Sequence, residues 1–348
     1  MNKRRGGTAV RIAAIVLGAM LLSVTLFACS AKPEDRVRIK VLLLPKFEIG
    51  EMSGDFPGEA QYYYEAYVMG GEVFEIPGAS GDGRLYVKDG IALFLVGVGK
   101  VESALNTAML LSDARFDFSE TYVISTGCAG CAAEYGVMGD VYVISAAVDY
   151  DLGHHADPRD LTEASDVTWF READCDSQAA VLLNAELTER VYSLVKDVPL
   201  ETTEKTRTFM TKAFPDEAWA DRDPRVLRGT SVTGDNYWKG WYDHKNALKI
   251  VETYACEDPF AVTEMEDLAV LQTLSRFGLL DRSIVIRDSV NMDVFMMGDT
   301  PESLWDTGFS EKATSGNDGE SFDIFVTAMQ NNFKVGRTII EAIADGGL

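Results

Sequence analysis

Two cysteines three residues apart lie in Ser125-Thr126-Gly127-Cys128-Ala129-Gly130-Cys131, at the end of the apolar run Tyr122-Val123-Ile124. A C-x-x-C can be a redox pair or half of a metal site. No second pair completes a zinc site, and His154, His155 and His244 lack a ligating spacing. The reading that fits better is a tight turn filled with small residues, whose glycines Gly127 and Gly130 let a ligand approach the backbone closely. A second stretch of the same kind, Gly97-Val98-Gly99-Lys100, follows Leu93-Phe94-Leu95-Val96. Acids also stand at the ends of apolar runs, where a carboxylate can act as a general base. Glu48 and Glu51 follow the first run, and Asp288 and Asp293 bracket Ser289-Val290-Asn291-Met292 after the last. The pair His154-His155 falls in a polar loop and reads as solvated.

These residues need a scaffold that brings strand ends together. Val37 to Leu44 alternates and then becomes continuously apolar, as a strand does on becoming buried on both faces. Strands are expected over 72–76, 84–87, 91–96, 121–125, 141–148, 226–233 and 282–287. Helices are expected over 100–112, 179–196, 261–277 and 322–343. In the first helix Val101, Ala104, Leu105, Ala108, Met109 and Leu111 lie near one face, the expected buried one. Strands alternating with helices, plus hairpins, give an α/β domain with a mixed sheet. Glycine-ended strands at the edge of such a sheet suggest a small-molecule site there.

With 47% hydrophobic residues among 348, the chain can build a sizeable core. The net charge of −23 argues against nucleic acid as a partner. Lys3, Arg4, Arg5 and Arg11 precede or enter an apolar run over 12–28 that falls short of the roughly 20 residues needed to cross a bilayer. This predicts a signal peptide over 1–28. The small residue before Cys29 resembles a bacterial lipobox, which implies cleavage there, a lipid on the Cys29 sulfur, a tether over 29–36 and an exported domain over 37–348 anchored to the cell membrane.

Four segments, in order, resemble the purine nucleoside phosphorylase and nucleosidase superfamily, and most closely its purine nucleoside permease (NUP) branch. They are Val96-Gly97-Val98-Gly99-Lys100-Val101; Ser125 to Gly130 running on to Gly139-Asp140-Val141; Thr233-Gly234-Asp235-Asn236-Tyr237-Trp238; and Glu264-Met265-Glu266 followed by Arg287 to Asp293. Phe47-Glu48, Tyr237-Trp238-Lys239-Gly240 and Ser289-Val290-Asn291-Met292-Asp293 carry the likeness to the permease branch. The resemblance implies a nucleoside phosphorylase-like mixed β-sheet, a partly closed barrel, flanked by helices, with no cofactor and no metal. It puts Met265, Glu266 and Cys128 at the ribose, Glu266 accepting from a vicinal diol. It puts Tyr237, Trp238 and Asn291 at the base, with Gly97, Gly99, Gly127 and Gly130 as the ligand-facing loops.

Asn291 stands where adenine-cleaving members carry an aspartate, which favours a 6-oxopurine. Ser125 stands where hexameric phosphorylases carry an arginine, and no Gly-Asp-Pro-x-Arg segment follows the first strand. A phosphate dianion wants such donors. The expectation is therefore purine nucleoside binding linked to uptake, with hydrolysis of the N-glycosidic bond by water held on Glu48 or Glu51. The alternatives are a phosphate-dependent phosphorylase or a non-catalytic binding lipoprotein. No run after the N-terminus is long enough to span a bilayer, so transport would need a separate membrane transporter. A homo-oligomer is a further expected partner.

Overall fold

Val41-Leu42-Leu43-Leu44 (strand β1) is apolar at every position because both of its faces are covered, and all four residues are buried. The computed structural model describes residues 36–163, 165–295 and 319–348. The expected signal peptide, Cys29 and all of the tether but Arg36 lie outside them. Of a small unit formed by 36–38 and 114–117, the described part pairs Val37–Arg38 in parallel with Phe116–Asp117.

The large unit is organised by a ten-stranded sheet. After β1 come β2 (Glu72–Glu75), β3 (Arg84–Lys88), β4 (Ile91–Phe94), β5 (Tyr122–Cys131), β6 (Val141–Asp149), β7 (Ala180–Leu182), β8 (Val226–Thr233), β9 (Phe260–Glu264) and β10 (Ser283–Met292). The strands run β7-β6-β8-β9-β5-β1-β4-β3-β2, and β10 pairs with both β5 and β6. That last pairing closes a five-stranded ring, β6-β8-β9-β5-β10, from which β1, β4, β3 and β2 extend as an open sheet. The partly closed barrel expected from the resemblance is thus a closed ring with an open wing.

Two elements differ from the pattern in the sequence. The segment from Phe260 to Glu264 is strand β9 rather than the start of a helix, because it is needed between β8 and β5 to close the ring. It is buried almost throughout and has no polar helical face. The stretch Ser125 to Cys131 is not a turn: it continues β5 to residue 131, pairing with β10 and finally with β9.

Helices α1 (Lys100–Leu111), α2 (Ala185–Val195), α3 (Glu204–Ala213), α4 (Trp241–Thr253), α5 (Asp267–Arg276) and α6 (Gly319–Ala344) flank the sheet. Asn184 starts α2 by accepting from the Glu186 and Leu187 N–H groups at 3.1 and 3.2 Å, which frees 180–182 to pair as β7. One apolar core joins Val41, Leu43, Ile124, Val143 and Ile286 of the sheet to Leu187 and Val191 of α2 and Val335 and Ile339 of α6. A second joins Val148 and Val232 to Ala247, Ile250 and Val251 of α4.

Helix α1 turns the opposite way from its apolar pattern. Ser103, Asn106, Thr107 and Leu110 are buried, while Val101 and Leu105 are 69% and 53% exposed. The cause is Asn106, whose amide donates to the Val96 carbonyl at 3.1 Å and accepts from the Ser80 N–H at 2.9 Å. The β2–β3 connection and the segment after β4 are both tied to the polar face, so that face must point inward.

Candidate functional site

The ends of β8 and β9 meet the loop after β4 around one buried guanidinium. Arg287, from the middle of β10, is fully buried and its Nη2 lies 2.9 Å from Glu264, 3.1 Å from Glu266 and 2.9 Å from Asp267. Its Nη1 donates to the Cys128 carbonyl at 2.8 Å. Three carboxylates on one arginine leave net negative charge, which Lys46 offsets: its Nζ lies 3.6 Å from Asp267. That ammonium also donates to Ser125 Oγ at 2.6 Å and to the carbonyls of Leu44 and Thr126 at 3.1 and 3.2 Å. Ser125 is therefore the partner of a buried lysine.

The acids of the cluster are shifted in two directions. Burial pushes the Glu264 and Glu266 carboxyls up, and Arg287 opposes this without cancelling it. Burial pushes Asp267 up as well, but Arg287 and Lys46 outweigh it and hold that carboxyl low. Glu264 is structural: it accepts from Ser231 Oγ at 2.7 Å and from the N–H groups of Glu266 and Asp267 at 2.6 and 2.7 Å, capping the start of α5. Glu266 keeps one oxygen toward Arg287, and the other accepts the Gly99 N–H at 3.0 Å. Gly99 can present that N–H because its φ of +86° is open to glycine.

An acid the sequence pattern did not single out stands near enough to Glu266 to help raise its carboxyl. Glu59 is 5% exposed, and its two oxygens accept the N–H groups of Cys128 and Lys46 at 2.8 and 2.7 Å. A Cβ at Gly127 would stand 2.5 and 2.6 Å from those oxygens, so the glycine is what lets the carboxylate lie on β5. The available signal was Pro57-Gly58-Glu59 directly before Ala60 and the helical turn over 61–68, an acid at a helix start.

The two acids expected to hold water stand elsewhere. Glu48 accepts from the N–H groups of Ile49, Gly58, Ala60 and Gln61, with Ile49, Ala60 and Gln61 at 2.9, 3.0 and 2.6 Å, and so staples the loop that delivers Glu59. Glu51 is exposed, in a loop closed by Asp55.

On the barrel side, Tyr237 is 85% exposed and stands near Glu266 and Cys128. Met265 is half-buried at the turn into α5. Asn291 is exposed near the end of β10, its Oδ1 2.9 Å from where a Cβ on Gly130 would stand. Trp238 packs instead into the second core, its ring stacked on Tyr150 at 5.1 Å. Asp293 ties these segments together: it accepts from Ala133 N–H at 2.9 Å, lies 2.6 Å from His244 Nδ1, and its carbonyl accepts the Gly240 N–H at 2.8 Å.

Asp288, fully buried, accepts from Asn332 Nδ2 at 2.8 Å, while its Oδ2 has no partner among the described residues. Burial and Glu59 push this carboxyl far above the usual range. Cys128 and Cys131 are unbridged. Burial, followed by Glu59 at Cys128 and Asp140 at Cys131, raises both thiols, so neither is an activated thiolate. Lys100 is committed to Asp149 and Asp151 at 3.1 and 2.8 Å. Among the described residues no group of three or more His, Cys, Asp or Glu is placed to hold a metal ion, and no helix is long and apolar enough to cross a membrane.

The fold is shared with solved structures. A 5'-methylthioadenosine/S-adenosylhomocysteine nucleosidase from Neisseria meningitidis superposes with a TM-score of 0.51 at 20% identity, over 87% of this chain and 99% of that one. A futalosine hydrolase mutant from Helicobacter pylori gives the same TM-score and coverage at 16% identity. Among curated proteins, a probable purine nucleoside permease of Schizosaccharomyces pombe is 28% identical over 232 residues, 58% of this chain and 64% of that protein. A purine nucleoside permease of Candida albicans is 23% identical over 210 residues, 55% of this chain and 51% of that protein. These alignments thus take in little more than half the length of the curated relatives. The family model for purine nucleoside permease (NUP) matches residues 38–346, and the chain belongs to that family.

Proposed function

We propose that this chain binds purine nucleosides over Glu59 and Glu266 and cleaves their N-glycosidic bond with water. The observation that carries this reading is the Glu59 carboxylate held on β5, near enough to Glu266 to help raise that carboxyl, with two backbone N–H groups fixing its orientation. Each Glu59 oxygen keeps acceptor capacity for one more partner. Glu266 accepts from ribose hydroxyls, and Tyr237 and Asn291 contact the base. A water on Glu59 attacks C1′ and gives its proton to the carboxylate. The C1′–N bond breaks with its electron pair going to the purine nitrogen, where the Asn291 amide hydrogen-bonds the developing anion until solvent protonates it.

Water is preferred to phosphate because the nearby donors are engaged. The Cys128 N–H faces Glu59, Lys46 faces Ser125 and Asp267, and Arg287 faces three carboxylates. A phosphate dianion would meet Glu59 rather than a cation. The names of the permease relatives and of the solved nucleosidase support a purine nucleoside as ligand. Asn291 in place of an acid supports a 6-oxopurine. A lipid on Cys29 would anchor the exported domain to the cell membrane on its extracytoplasmic side, beside a separate transporter; mass spectrometry of the mature N-terminus checks it.

The chemistry is tested by incubating the protein with inosine, guanosine and adenosine, with and without phosphate. Base release independent of phosphate supports hydrolysis, and release that requires phosphate refutes it. Tight binding without release would leave a nucleoside receptor.

A further inference from the structure

Residues 234–240 link the end of β8 to α4, and they are held at both ends while Tyr237 stands exposed between. At the rear, Gly240 donates its N–H to the Asp293 carbonyl at 2.8 Å, and the Trp238 ring is stacked on Tyr150 in the second core. At the front, Gly234 donates to the Glu264 carbonyl at 2.9 Å. Asp151 then accepts from the Asp235 N–H at 2.8 Å and from Asn236 Nδ2 at 2.6 Å.

The front anchor converges on Lys100, the first residue of α1. Its ammonium lies 3.1 Å from Asp149, 2.8 Å from Asp151 and 4.0 Å from Asp235. One cation thus gathers carboxylates from the end of β6, the loop after β6 and the loop after β8. Burial works against these charges, yet Asp151 and Asp149 hold the ammonium above its ordinary value, and Lys100 holds the Asp151 carboxyl below its own. The Lys100 N–H donates to Asp235 Oδ1 at 2.8 Å, a carboxylate at a helix N-terminus. The N–H before it, on Gly99, goes to Glu266. Two successive N–H groups therefore tie the ribose-holding acid and the loop that carries Tyr237 to one helix start. Without the ammonium, three like charges from three segments would face one another and push that loop outward. Resting on the nucleoside reading above, we propose that Lys100 is a positioning residue for the base: by drawing Asp149, Asp151 and Asp235 together it fixes the 234–240 loop and so holds Tyr237 in register with Glu266. An aromatic ring held in place beforehand contributes its contact with the base without the cost of being ordered on binding.

The test is a double-mutant cycle on the full-length chain, read by calorimetry with inosine: wild type, K100M, Y237A and K100M/Y237A. K100M and Y237A are each expected to bind inosine at least about fivefold more weakly. K100M is expected to cost less than about twofold once Tyr237 is gone, because a residue that acts through Tyr237 then has nothing to position. A merely structural lysine would give losses that add. Asp235→Ala keeps the Lys100 pairs with Asp149 and Asp151 and removes the acceptor on the loop, so it runs the same cycle without stripping the cluster of its cation, and the same pattern is expected. Losses that add with that of Y237A, or affinity unchanged in K100M and in Asp235→Ala, overturn the positioning role while leaving the nucleoside reading intact. Absence of inosine binding to the wild type overturns the nucleoside reading, and this inference with it.

Discussion

Gly127 and Glu59 occupy one place between them: where a Cβ of residue 127 would stand, the Glu59 carboxylate lies, its oxygens 2.5 and 2.6 Å from that point. Gly127→Ala must push Glu59 off β5 and leave the Cys128 and Lys46 N–H groups without their acceptor. Inosine affinity and turnover are each expected to fall at least about tenfold, with the protein still folded. Calorimetry and a base-release assay check this; an alanine variant that matches the wild type would separate Glu59 from function.

Arg287 pairs with three buried carboxylates, so Arg287→Met should cost about 3–5 kcal/mol in urea denaturation at neutral pH. The deficit has a definite pH dependence. Without the guanidinium the three carboxyls have folded pKa values above their unfolded ones, so their contribution is intact below the unfolded values and is lost as pH rises. The difference between variant and wild type should therefore shrink below about pH 4.

Asp288 makes a similar statement in the native protein. Its carboxyl is pushed far up by burial and Glu59, so its stability contribution is present in acid and declines as pH climbs through the folded value. Asp288→Asn mimics the protonated acid and keeps an oxygen for Asn332. It is expected to hold thermal stability at neutral pH and to flatten the decline toward alkaline pH. A steeper decline would place the charge elsewhere.

The inverted helix α1 gives a direct packing test. Leu105→Ala and Val101→Ala should each change stability by no more than about 0.5 kcal/mol, because both side chains face outward. Leu110→Ala, fully buried, should cost about 2–5 kcal/mol. The reverse order in urea denaturation would return the helix to the orientation its apolar pattern suggests.

That helix shows where the sequence could be read and where it could not. Continuous apolar runs such as Val41 to Leu44 disclosed the buried strands, and the glycines at 97, 99 and 127 disclosed the backbone approached by side chains. Helical periodicity failed on α1 because Asn106 satisfies two loop backbones, an arrangement local pattern does not carry. It failed at 260–264 because ring closure, a long-range requirement, chose a strand. In the site, Glu266 was found through the motif beside it. Glu59 does not stand out in the sequence because ten residues separate it from Glu48, and only the folded loop shows that Glu48 staples the chain while Glu59 reaches β5.

The central claim, a purine nucleoside seated on Glu59 and Glu266, is tested most directly by calorimetric titration of inosine into the wild type, Glu59→Gln and Glu266→Gln. The account predicts one saturable site in the wild type. It also predicts that affinity falls at least about tenfold in Glu266→Gln, which loses an acceptor for the ribose diol, while Glu59→Gln retains binding but loses base release. Undiminished affinity in Glu266→Gln together with undiminished base release in Glu59→Gln would contradict it.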